Sequence, residues 1–271
     1  MEELPLKYTA LSKSNLSIGM EFGPVNFFVN KSSHEKSKNL LEGNDIKGET
    51  KIISPYLFPS EMWGWARVFS SYFGRLNEVA VSRANWKIYE VARPDEKLIS
   101  KSKVVNVESR NNLSFATAET VTQNENGNIL IKTLDELLLL HDVNFKFYKE
   151  RNNEKEISKN NSYTRSRKVY FRYNWNSGKW MNNIHTDAYA KQFGYEGGLP
   201  EFIMYMDWIF MSELETKGKE AYQTTIELEK ILPIYEGEII KIIKPKNSEN
   251  NLIQFFRENQ ERVRAHINKQ N

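Results

Sequence analysis

One titratable imidazole, His185, stands in the run Asn182-Asn183-Ile184-His185-Thr186-Asp187-Ala188-Tyr189-Ala190, followed by Gly194-Tyr195-Glu196-Gly197-Gly198-Leu199-Pro200. Histidine changes charge near neutral pH, so it can take up and return a proton where few other side chains can. The run leads straight into the apolar segment Phe202-Ile203-Met204-Tyr205-Met206-Asp207-Trp208-Ile209-Phe210. A histidine loop that feeds a buried helix has the layout of an active-site loop. Other chemistries find no support. The chain has no cysteine, which removes disulfides, thiolate nucleophiles and Cys-ligated zinc together. Its four histidines are far apart and form no pair at metal-ligand spacing. Neither Gly-x-Ser-x-Gly nor a glycine-rich phosphate loop after a strand occurs.

A chain of 271 residues can bury a sizeable core, either as one long domain or as two modest ones, and two fused units are expected. Its 39% hydrophobic and 27% charged residues are globular in balance, and no run is apolar enough to span a membrane. The formal charge of +3 is spread among nearly as many acids as bases, too diffuse for a nucleic-acid footprint. Such a field steers phosphate-bearing or acidic partners at most. Met1-Glu2-Glu3-Leu4-Pro5-Leu6 lacks the basic and apolar regions of a secretory leader. With no cysteine present, a reducing cytoplasm fits.

The elements that must position His185 are helix and short strands, in that order, twice. Ser54 to Phe69 opens with prolines and runs into bulky apolar residues, which predicts a buried helix with Ser60 as its N-cap. Pro24–Val29 reads as a strand, and residues 86–91, 103–107, 113–121 and 129–131 read as strands split by turn residues. Residues 145–163, rich in Asn, Lys and Glu, read as a linker, and 168–173 as the strand that leads to the His185 loop. Strands follow at 224–231, 238–243 and 252–256, while 257–267 fits a strand or a helix equally. The two helical segments align through Pro59 and Pro200, 141 positions apart, and the turn Arg93-Pro94-Asp95-Glu96 aligns with Tyr235-Glu236-Gly237-Glu238. Duplication of one α+β unit follows, imitating a homodimer in a single chain. Units of 1–150 and 151–271 are expected.

Asn182, Ile184, His185, Asp187, Tyr189-Ala190, Gly194, Gly197-Gly198 and the turn Tyr235-Glu236-Gly237-Glu238 resemble the MaoC-like (R)-specific hydratase/dehydratase family. The resemblance covers most of the chain in architecture and the second half in motif. It implies an α+β double hotdog fold, two tandem units that each wrap a central helix in antiparallel sheet. It also implies addition or removal of water at Cα–Cβ of an acyl thioester, linked to coenzyme A or a carrier protein, with no cofactor and no metal. A homodimer is open. His185 would be the acid/base, and the backbone at Glu201-Phe202 would face the thioester oxygen.

The family pattern is broken in places. Trp180 stands where the family's aspartate belongs, Lys179 where a glycine precedes it, and Phe202 where a glycine starts the helix. Asn182 either orients water or an acyl carbonyl, or caps a helix. Asp187 either caps the helix near Ala188 or replaces the missing carboxylate. Trp180 and Trp175 either wall an acyl channel or belong to the core, and Lys179 either meets a phosphate or is merely exposed. In the first half Asn44 aligns with His185 and His34 falls out of register, so that half is expected to lack the acid/base. The lost aspartate leaves two further readings open: a tailoring enzyme that performs cyclisation, isomerisation or elimination, and a non-catalytic acyl-binding protein.

Overall fold

The computed structural model describes residues 10–35, 57–73, 79–140, 157, 159–169, 185–221, 224–230, 232–246 and 251–269. Within them the β-branched and aromatic segments form β1 (Glu21–Phe28), β2 (Val79–Ile88), β3 (Lys97–Arg110), β4 (Leu113–Asn124) and β5 (Ile129–Leu139). The second half contributes β6 (Asn161–Lys168), β7 (Thr224–Lys230), β8 (Ile239–Pro245), β9 (Leu252–Arg257) and β10 (Gln260–Lys269). All ten join one sheet in the order β1-β3-β4-β5-β2-β7-β10-β9-β8-β6. Read from either edge, this order gives the same succession of equivalent strands. Its centre is the antiparallel pair β2 and β7, where Asn85 faces Glu227 and Trp86 faces Ile226. A pseudo-two-fold axis therefore runs through that pair.

The two turns aligned in the sequence have the same construction. The Arg93 amide donates to Glu96 Oε2 and the Tyr235 amide to Glu238 Oε2, both at 3.0 Å. The third residue of each has a left-handed backbone, φ 67° at Asp95 and 84° at Gly237. Each of these residues donates its amide, again at 3.0 Å, to the residue that follows the edge strand of its own half, Asp95 to Val29 and Gly237 to Val169. The repeat is thus physical as well as textual.

Helices α1 (Pro59–Met62), α2 (Trp65–Ser70), α3 (Asp187–Ala190) and α4 (Phe202–Lys217) lie against this sheet. In α4 every residue from Phe202 to Glu213 is buried, as expected of a helix that is apolar on nearly all sides. The corresponding segment of the first half is broken at Trp63-Gly64, and α1 starts at Pro59, so Ser60 lies inside its first turn instead of capping it. Proline suits that first position because its missing N–H has no helical partner there. The break coincides with a close approach of backbone to sheet. A Cβ on Gly64 would lie 2.1 Å from Ser100 Oγ and 2.6 Å from Ser100 Cβ. We expect Gly64→Ala to cost about 1–3 kcal/mol through this overlap, read as a lower thermal midpoint. An unchanged midpoint would refute the close contact.

The sequence reading is corrected at the second half's edge. Strand β6 occupies 161–168, overlapping the segment read as linker and ending where a strand was expected to begin. Its run Asn-Ser-Tyr-Thr-Arg-Ser-Arg-Lys buries Tyr163 and Arg167 alone, and a one-sided edge strand needs little apolar alternation. Residues 170–173 lie outside the described residues. In the ambiguous C-terminal segment 257–267, Arg257 ends β9, a turn follows, and from Gln260 the chain is strand β10, paired with both β7 and β9. One hydrophobic core joins the halves, with Val68, Phe69 and Trp86 from the first and Trp208, Ile226 and Phe255 from the second.

Candidate active site

His185 is half-buried, and its Nδ1 donates to the Leu199 carbonyl at 2.6 Å. A carbonyl oxygen can only accept, so Nδ1 carries the proton and the lone pair of the neutral ring sits on Nε2. The loop thereby fixes the tautomer with a backbone group.

That carbonyl is positioned by the glycine segment. Thr186 is the N-cap of α3 and its side chain makes no cap bond; Asp187, the first helical residue, is exposed, and its Oδ1 accepts the Gly198 amide at 2.7 Å. The Gly198 amide is therefore committed to Asp187. A Cβ on Gly197 would meet Asp187 Oδ1 at 3.4 Å and Tyr235 Cδ1 at 3.6 Å, ordinary contact distances, so the backbone here packs closely against both residues. On the other side, Glu236 donates its amide to the Gly198 carbonyl at 3.2 Å, and the Glu196 amide reaches the Tyr235 hydroxyl at 3.3 Å. Leu199 and Tyr235 pack with Ala80 and Leu140 of the first half in a small cluster of their own. Partial burial, and then the neighbouring Asp187 charge, push the Glu236 carboxyl above its usual value, opposed by Lys168.

Phe202 opens α4 next to the loop. Its buried ring lies 6.0 Å from Trp63 and 6.1 Å from Trp86, so the helix start is walled by aromatic residues from the first half. Behind them sits Asp135, fully buried on β5, which accepts Trp63 Nε1 at one oxygen and Trp86 Nε1 at the other, both at 2.8 Å. Burial pushes its carboxyl up to about 6, with the hydrogen bonds from Trp63 and Trp86 opposing. Asp135 was not singled out in the sequence. The available signal is phase: in Thr133-Leu134-Asp135-Glu136-Leu137 it falls on the buried side with Thr133 and Leu137.

Of the residues singled out beforehand, the structure brings together His185, Asp187, Gly198 and, through Leu199-Pro200, Phe202. Asn182, Trp180, Trp175 and Lys179 lie outside the described residues, as does Asn44 in the first half. His34 is buried and bonded to Glu61, a pair the alignment did not suggest.

A ten-stranded antiparallel sheet with a duplicated helix and a mirrored strand order is the double hotdog fold, α+β as the motif resemblance implied. Comparison with solved structures places it with the MaoC-like dehydratases in fold. A MaoC-like dehydratase matches at TM-score 0.66 and 10% identity, over 96% of this chain and 100% of that one. A Mycobacterium tuberculosis protein described as having a double hotdog fold matches at 0.61 and 9%, over 95% and 97%. An acyl-ACP thioesterase from Bacteroides thetaiotaomicron matches at 0.51 and 12%, over 95% and 99%. No protein-family model matches the sequence, and no curated protein matches it. Among the described residues no helix is long and apolar enough to cross a membrane.

Proposed function

We propose that this chain is a hydro-lyase that adds water to, or removes it from, Cα–Cβ of an acyl thioester carried by coenzyme A or a carrier protein. The observation that carries the reading is the His185 Nδ1 bond to Leu199, which leaves the basic lone pair on Nε2 in a loop that ends at the start of α4. In hydration, Nε2 takes a proton from water as the oxygen bonds to Cβ, and the imidazolium returns a proton to Cα. The amide groups at Glu201-Phe202 face the thioester oxygen as negative charge develops on it. Asn182 orients water or the acyl carbonyl, and Trp180, Asp187, Gly198 and Phe202 shape the substrate site. The usual carboxylate is dispensable for the tautomer because the Leu199 carbonyl sets it, although a carbonyl stabilises the imidazolium less than a carboxylate does. We read 1–150 and 151–271 as the two units, the second carrying this loop, in a cytoplasmic protein able to form a homodimer.

The test offers crotonyl and longer 2-enoyl thioesters and follows loss of enoyl absorbance. Turnover supports the reading, and its complete absence across chain lengths overturns it. Release of free thiol with the enoyl group intact would replace it with thioester hydrolysis, the reading the thioesterase likeness favours. Within the proposed mechanism Asp187→Ala frees the Gly198 amide and lets Leu199 shift under His185. We expect kcat to fall about tenfold, since small misplacements are costly in catalysis. Because Asp187 is exposed, the thermal midpoint should barely move, and equal losses of activity and stability would contradict the positioning role.

A further inference from the structure

Side chains alternate between the two faces of a strand. On the central pair, Trp86 and Ile226 point into the core, where Trp86 meets Phe202 of α4, which leaves Arg83, Asn85, Glu227 and Glu229 on the opposite face. The centre of that face is open: the side chains of Arg83 and Glu229 are 60% and 51% exposed, and Leu134 beside them on β5 is 41% exposed. Strand register sets these residues in rows. In one row Glu136 of β5 stands beside Arg83, Arg83 beside Glu229, and Glu229 beside Arg264 of β10. The charges run minus, plus, minus, plus, with the β2–β7 seam at the middle. In the next row the same strands present Leu134, Asn85, Glu227 and His266.

Such a row is complementary to its own reverse. We propose that this face docks a second copy of the chain, sheet against sheet, about a two-fold axis that lies between the sheets, parallel to the strands and over the seam. That rotation reverses the row. Glu229 of the second copy then lies over Arg83 and its Arg83 over Glu229, and its Arg264 and Glu136 lie over Glu136 and Arg264. In the next row Asn85 meets Glu227 and Leu134 meets His266, so no like charges oppose each other in either row. An axis along the row would instead set every charge against its own like. The centre decides the register, because Glu136 is already held by Arg110 at 2.5 Å and Arg264 by Glu261 at 2.6 Å, whereas Arg83 and Glu229 have only each other at 3.1 Å among the ion pairs of the described residues. Exposed ion pairs add little affinity singly. Their arrangement fixes the docking register and excludes the wrong one. The proposal gives a face to the homodimer read above and does not rest on the hydro-lyase chemistry.

The test is sedimentation velocity of the full chain over a concentration series, at low and high salt. A dimer should form at low salt and weaken as salt rises. Arg83→Glu and Glu229→Arg are then measured separately. By symmetry each reversal places two like-charge contacts in every dimer, so each alone should weaken association about tenfold or more. Mixed together, the two variants are complementary again, since Glu at 83 of one copy faces Arg at 229 of the other, and the mixture should dimerise where neither does alone. The doubly swapped chain, Arg83→Glu with Glu229→Arg, should also dimerise by itself. Both side chains are more than half exposed, so the reversals leave the core untouched. A chain that stays monomeric to about 1 mM at low salt overturns the proposal. So does a dimer indifferent to both reversals, and so does a loss that neither the mixture nor the double swap restores. Enoyl turnover reports separately on the chemistry: a monomer with turnover sinks the docking face alone, and a dimer without turnover sinks the hydro-lyase reading alone.

Discussion

His185→Ala lowers kcat for hydration of a 2-enoyl thioester by about 10²- to 10⁴-fold and leaves KM within a few-fold, the usual worth of a positioned acid/base that contributes little to ground-state binding. His185→Gln separates structure from chemistry. Its amide can still donate to the Leu199 carbonyl, which His185 Nδ1 meets at 2.6 Å, but it cannot accept and return a proton at neutral pH. The glutamine chain should therefore melt like the original and turn over like the alanine chain. The limb of the kcat/KM profile set by imidazole ionisation should vanish in both. Activity within threefold of the original in either variant would remove His185 from the mechanism.

Asp135→Ala strips the acceptor from two indole N–H groups, one of them on the fully buried Trp86. A buried donor left unsatisfied costs about 1–3 kcal/mol, so the two together cost about 2–6 kcal/mol, partly offset because a carboxylate is no longer buried. The offset depends on pH, and its sign can be worked out. With the carboxyl raised from 3.8 to about 6, the folded protein binds more protons than the unfolded chain between those values. Stability from this group is complete below about pH 3.8 and is lost as pH rises through about 6, a swing of about 3 kcal/mol. The deficit of Asp135→Ala relative to the original should therefore widen by about 2–3 kcal/mol between pH 7 and pH 4. Urea unfolding at the two pH values measures it. A deficit that narrows at pH 4 would mean that Asp135 is held ionised by its indoles.

The scaffold was legible because duplication leaves marks that need no tertiary information. Pro59 and Pro200 align, the first opening α1 and the second two residues ahead of α4, and Glu96 and Glu238 close equivalent turns. The edge strand β6 was missed because its exposed side asks nothing of its sequence, so polar residues there looked like linker. At the candidate site, the histidine and its glycine crook were readable as a local run. The aromatic wall was not, since Trp63, Trp86 and Asp135 come from separate elements of the first half and meet Phe202 only once the two halves share one sheet. His34 and Glu61 were hidden for a related reason. Alignment of the halves in strict register pointed to Asn44, whereas the connection before α1 has its own length and carries its histidine earlier.

At the β2–β7 seam, Arg83 reaches Glu229 and Asn85 reaches Glu227, each at 3.1 Å. In an assembly of identical chains, any residue placed on one side of such a seam is imposed on the other. A tandem chain escapes that constraint, and here the first half supplies the donors and the second the acids. The molecule is in effect a heterodimer with one backbone. Its helices have diverged in the same way, broken by Gly64 in one half and continuous from Phe202 to Lys217 in the other, so each half is free to specialise without dragging its twin along.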